Sequence, residues 1–128
     1  MLKFTRKIVV HVVTAEGSPE SHKYWRDRFA ACAPDGFTVF LPEAVEGGWR
    51  MADGSVVTEP VSLFEVWEPS VPQVVDVLTV ASQMQTDENQ EAVSVQWVSP
   101  TGWVAAICFD SADWLELETL IRADQPAD

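Results

Sequence analysis

The sequence predicts an α+β fold of the ferredoxin-like kind: an antiparallel sheet with two main helices, plus an extra β-hairpin and a C-terminal helix. Three observations carry this. A length of 128 residues argues for one domain. Short runs rich in valine, isoleucine and aromatic residues alternate like strands, and between them apolar residues recur at helical spacing. Their order, strand, helix, two strands, helix, strand, is the split βαβ arrangement. With 47% hydrophobic residues the chain can build a core without disulfide or metal staples. The domain is assigned to residues 1–122, with 123–128 as a frayed tail.

The elements follow in order. In Lys3–Thr14, Phe4, Ile8, Val10 and Val12 share one parity and Lys7, Val9, His11 and Val13 the other, which reads as a central strand. Ser18 then stands as an N-cap with Pro19 in the first helical position and Glu20 in the first turn. The helix runs to about Ala33 on a Trp25, Phe29, Cys32 stripe and ends at Pro34-Asp35-Gly36. Phe37–Leu41 is a second strand. Asp53-Gly54 reads as a two-residue hairpin turn that sets Trp49 opposite Thr58 and Met51 opposite Val56. Val61–Trp67 is the next strand. Ser70 and Gln73 form a capping box for a helix with Val71, Val74, Val75, Leu78, Ala81 and Gln85 on its stripe. Ala92–Val98 alternates with Val93, Val95 and Trp97 on one face. Trp103–Phe109 is apolar on both parities, as expected of a covered strand. Ser111 caps a last helix with Trp114, Leu117, Leu120 and Ile121 as its stripe.

Composition narrows function. Twenty acidic against eight basic side chains give a net charge of -12, which disfavours direct nucleic-acid binding and anionic membranes. Residues 1–40 carry six basic and four acidic groups, and residues 41–128 two basic and sixteen acidic. No apolar run approaches the roughly 20 residues of a membrane span. The N-terminus superficially resembles a signal peptide, but Ile8–Val13 is short for one and no cleavage site follows, so a cytoplasmic protein is expected. Cys32 and Cys108 read as buried thiols, and no pair of ligand types has metal-site spacing. No metal and no cofactor are expected.

Pro34-Asp35-Gly36-Phe37-Thr38-Val39, followed by Trp49-Arg50, Asp53-Gly54, Glu59 and Asn89-Gln90-Glu91-Ala92-Val93, resembles a small family of bacterial proteins, found also in phage genomes, classed only as a domain of unknown function. Ala92 stands where that pattern has serine. The match covers about residues 20–97. The resemblance implies no activity and no catalytic residue, and a phage origin would imply a modulator of a host protein.

His11 is the one acid–base candidate, in mid-strand with no nucleophile or carboxylate specified near it. His22 reads as helix surface. Glu65 and Glu68, three apart on an extended chain, point to opposite faces. The Asp87, Glu88, Glu91 cluster reads as a solvated face. Trp25 and Trp114 fit the core, whereas Trp49, Trp67, Trp97 and Trp103 lie on strands beside polar residues, where tryptophan marks binding surfaces. Arg50 beside Trp49 joins this binding set, with Glu59 across the hairpin as a partner. The leading expectation is thus a non-catalytic acidic interaction protein that binds another protein and associates with itself, as a homodimer, through an open sheet face. One alternative is a small-molecule binder or small enzyme with a pocket between sheet and helices. Another is a nucleic-acid mimic that blocks a basic groove.

Overall fold

Ile8, Val10 and Val12 alternate with Lys7, Val9 and His11, and this period of two gives the sheet one fully buried face and a second on which Val9 is buried and Lys7 and His11 are half-buried. The computed structural model describes residues 2, 5–41, 46–50 and 52–125, and the side chains of residues 46, 47 and 49 lie outside that description. Its elements are β1 (Lys7–Val12), α1 (Pro19–Cys32), β2 (Thr38–Phe40), β3 (Glu46–Arg50), β4 (Val56–Pro60), β5 (Ser62–Trp67), α2 (Val71–Asp87), β6 (Val93–Ser99), β7 (Gly102–Cys108) and α3 (Ser111–Asp124).

Five strands form one antiparallel sheet in the order β2-β5-β1-β6-β7, and β3 and β4 form a separate ribbon. The first four positions reproduce the predicted ferredoxin-like order, and β7 extends it at one edge. On the helix side Ile8 faces Val66 and Trp97, and Val10 faces Phe64 and Val95. These rows pack against Trp25 and Phe29 of α1 and Val74, Leu78 and Ala81 of α2. Each large apolar side chain so buried contributes about 1.5–3 kcal/mol.

The helix ends follow the sequence closely. The Ser18 side chain accepts the Ser21 N–H, and Ser70 and Gln73 make both bonds of the capping box. For α3 the cap is Asp110 rather than Ser111: its carboxylate accepts the Asp113 N–H, and Asp113 in turn accepts the Phe109 N–H. Among the described residues no helix is long and apolar enough to cross a membrane.

Several expectations are corrected. The first strand begins at Lys7, and Lys3 and Phe4 lie outside the described residues. The ribbon register is shifted by one: Trp49 faces Val57 and Arg50 faces Val56, so the turn is longer than two residues, and Met51 lies outside the described residues. Asp53 accounts for this, since its carboxylate takes the Ser55 N–H and hydroxyl and holds a wider loop open. Strand β7 is not covered but is an exposed edge: Trp103, Val104 and Ile107 are exposed, while α3 packs on α2 and runs beside β7 to the turn that precedes it, where Asp124 accepts from Thr101. Leu120 is exposed, while Trp114, Leu117 and Ile121 are buried. His22 is fully buried, one turn before Trp25 on the same stripe, and its Nδ1 lies 2.9 Å from the Ser62 hydroxyl. The last helix continues through Asp124, whose carboxylate accepts from Trp97 Nε1 at 2.6 Å and from the Thr101 hydroxyl at 2.7 Å. Residues 123–125 are therefore tied down, and 126–128 lie outside the described residues.

Candidate functional site

The face turned away from the helices is built in rows. Trp67, Lys7, Val98 and Trp103 lie side by side across β5, β1, β6 and β7, and the next row is Glu65, Val9, Gln96 and Ala105. Lys7 Nζ lies 3.2 Å from Glu65 and 4.9 Å from the Trp67 ring centre, so the one ion pair of these two rows is internal to them. A row further on, His11 faces Leu63, and Ser94 faces Ile107.

Beside His11 and Ser94 a cavity of about 500 Å³ opens between this face and the β3–β4 ribbon. The ribbon contributes Val57 and Glu59, and the α2–β6 connection contributes Gln90, Glu91 and Ala92. Three local devices set these groups in place. Strand β1 fixes His11 opposite Leu63 of β5, one residue beyond its pairing with β6. At the end of α2, Asn89 takes a positive φ of 52°. There the Gln90 N–H returns to the Gln85 carbonyl and the Asn89 N–H to that of Thr86, a Schellman closure that turns Gln90 and Glu91 toward the cavity. Gln85 Nε2 also donates to the Glu91 carbonyl at 3.2 Å. The third device is at the ribbon base. Gly17, at φ +66°, leaves room for the Pro60 ring: a Cβ there would lie 3.3 Å from Pro60 Cγ. Thr14 Oγ1 accepts the Gly17 N–H, and the ribbon ending in Glu59-Pro60 rests on this loop.

Burial lowers the pKa of His11 from its usual value, so its ring is neutral at pH 7. The cavity thus joins a neutral imidazole, two carboxylates and apolar walls from Val13, Val57 and Val61. Such a lining suits a ligand with an apolar or aromatic body and a positive centre. No group of three metal-binding side chains comes together among the described residues.

The residues singled out in the sequence fall in different places. His11 lines the cavity. Trp67 and Trp103 share the open face, 51% and 69% exposed, with Lys7 and Val98 between them. Trp97, expected on a binding surface, is 2% exposed and belongs to the core, because its parity is that of Val93 and Val95. Arg50 donates to the Gly54 carbonyl at 3.2 Å; the ribbon register sets Glu59 opposite Gly47, away from Arg50. The Trp49 side chain lies outside the described residues. The expected pocket between sheet and helices is not the cavity found: the helix side is filled by core, and the opening is on the other face. Glu59 and Glu91 were the residues that pattern reading passed over as a structural partner and a solvated acid. Asn89 directly after a long helix was the signal for the turn that redirects Glu91. Glu59, Gln90, Glu91 and Ala92 meet at this one cavity.

No family model matches the sequence, and no curated protein matches it. Two solved structures are similar. One is a phage SAM lyase in complex with S-methyl-5'-thioadenosine, with a TM-score of 0.52 and 18% identity over 84% of this chain and 89% of that one. The other is a phage SAM lyase in its apo state, with a TM-score of 0.54 and 15% identity over 87% of this chain and 96% of that one. The likeness establishes the fold. It also overturns the leading expectation of a non-catalytic protein-binding module, since the similar chains are an enzyme with a small-molecule ligand, and it favours the small-molecule alternative.

Proposed function

We propose that this protein binds S-adenosylmethionine (SAM) in the His11–Glu59–Glu91 cavity and acts on it as a lyase, releasing methylthioadenosine. The observation that carries this reading is the cavity itself: two carboxylates and a neutral histidine line an opening of nucleoside size. Fold alone does not fix an activity, but this lining has the chemistry the substrate requires. SAM carries a sulfonium and an ammonium, and Glu59 and Glu91 supply matching negative charge. His11 adds no opposing charge at neutral pH. The apolar walls take the adenosine body. The overall charge of -12 also raises the local concentration of a cationic substrate.

The reaction class fixes the electron balance. As the carbon–sulfur bond to the amino-acid chain breaks, its electron pair stays on sulfur, which becomes a neutral thioether. The departing carbon must then be satisfied by the substrate's own carboxylate, with no proton lost, or by loss of a proton from the neighbouring carbon. Only the second needs a base, and His11, Glu59 and Glu91 are the groups of the cavity that can serve as one.

Calorimetry with methylthioadenosine and chromatography of SAM incubated with the protein test the proposal. Binding, methylthioadenosine release, and loss of release in Glu59→Gln and Glu91→Gln are the expected results. Absence of both binding and release in the wild-type protein at millimolar ligand overturns it. The four-carbon product tells the two routes apart, a lactone marking ring closure by the substrate carboxylate and an unsaturated amino acid marking proton loss; full turnover in His11→Gln would show that His11 is not the base.

A further inference from the structure

The charges around the cavity are all of one sign. Glu59 and Glu91 line it, His11 is neutral at pH 7, and among the described residues no lysine or arginine joins the lining. The chain has eight basic residues. Lys3 lies outside the described residues, and the other seven are held elsewhere. Lys23, Arg26, Arg28 and Arg122 ride on α1 and α3, on the helix side of the sheet. Arg6 donates to the Asp124 carbonyl at 3.1 Å. Lys7 is paired with Glu65 at 3.2 Å and stands four residues before His11, about 13 Å along an extended strand. Arg50 is turned along the ribbon to its tip, where it donates to the Gly54 carbonyl.

SAM brings three charges to such a cavity: a sulfonium, an ammonium and a carboxylate. The two cations meet carboxylates of the wall. The anion meets no cation and lies near two groups of its own sign, so it is repelled. Taking the carboxylate off the ligand removes that repulsion and leaves the attractive contacts in place. We infer that the cavity recognises its substrate by the positive groups alone, so that a cationic adenosine compound without the carboxylate binds more tightly than its carboxylate-bearing parent, and an adenosine compound bearing a phosphate is rejected. Rejection by like charge is how a site that accepts an adenosine body can refuse the nucleotides that share it. The inference rests on the proposed SAM site and goes beyond it by ranking what that site holds.

Calorimetry of the full chain with an uncleavable pair of ligands tests the ranking. Sinefungin carries the three charges of SAM, with an amine-bearing carbon in place of the sulfonium. Its decarboxylated form differs only by the lost anion. The decarboxylated compound should bind roughly tenfold more tightly than sinefungin, and adenosine monophosphate should show no binding at millimolar concentration. Val57→Lys then separates the cavity from the field of the whole chain. Val57 lines the cavity and is 49% exposed, so a lysine there gives the ligand carboxylate a partner while hardly changing the net charge of -12. In this variant, with circular dichroism unchanged, the order of the pair should reverse. Sinefungin binding as tightly as its decarboxylated form in the wild-type protein, or more tightly, overturns the inference and leaves the SAM site standing. So does a monophosphate that binds as well as either, or binding of methylthioadenosine with neither cationic compound. An order that Val57→Lys leaves unchanged moves the preference to the whole-chain field and overturns the role of the cavity. If the wild-type protein binds none of these compounds and releases no methylthioadenosine from SAM, the SAM reading fails and the inference falls with it.

Discussion

Gln85 does the work of several residues from one buried position. Its side-chain amide donates to the carbonyls of Cys108, Phe109 and Glu91, and its carbonyl accepts Trp114 Nε1 at 2.7 Å. Leucine there would keep the volume and orphan a buried indole N–H, so Gln85→Leu should lose about 1–3 kcal/mol in urea unfolding. Because Glu91 hangs on the same amide, ligand affinity should fall too. His11 gives a pH signature. Its folded pKa lies below the unfolded value of 6.5, so between the two the unfolded chain holds the proton and the folded chain does not. Stability is therefore full above about pH 6.5 and declines as pH falls through the folded pKa. Urea midpoints at pH 7.5 and 5.5 should show a smaller loss in His11→Gln than in the wild-type protein. At this scale the sequence was partly legible. The alternation of β1 gave His11 its place on a sheet face, but the same pattern could not say that Glu59 and Glu91, far apart in the chain, share a cavity with it.

Elements were read best where one local rule governs them. Ser18-Pro19 and Ser70 with Gln73 begin helices as their capping chemistry dictates. Errors arose where a partner decides the outcome. Apolar residues on both parities of Trp103–Phe109 are compatible with a covered strand or with an interface, and sheet order alone makes β7 an edge. The Asp53-Gly54 pair suits a tight turn, yet the Asp53 carboxylate prefers the Ser55 N–H, and the register slips by one. The ribbon as a unit has its own test at its base. Alanine at Gly17 would both strain a positive φ and press on Pro60. We expect Gly17→Ala to weaken methylthioadenosine binding severalfold, and Gly17→Ala combined with Pro60→Ala to recover part of that loss. Equal losses in the two would show strain at residue 17 alone, with no transmission through the ribbon.

Across the whole molecule, the acidic charge that pointed away from nucleic acid bears on the proposed binding of SAM. A sulfonium ligand feels the field of the entire chain, whereas its thioether product, being neutral, does not. Raising ionic strength from about 0.05 to 0.5 M shortens the screening length from over 10 Å to under 5 Å. SAM affinity should weaken across that range while methylthioadenosine affinity stays level, and parallel titrations read the difference directly. Equal salt dependence of the two would remove the carboxylates from recognition. Fold class was legible because element order alone generates the sheet. The candidate cavity was not, because it depends on the meeting of a strand, a ribbon and a helix exit that no local pattern links.

The ribbon interrupts the chain between β2 and β5, yet those two strands pair directly, with Phe40 opposite Leu63. The sheet therefore does not need the insertion to hold its register. A lineage could lengthen, shorten or resequence the ribbon and so exchange one wall of the cavity while the scaffold beneath went on folding as before. The cavity wall and the sheet register are thus stored in separable stretches of the sequence.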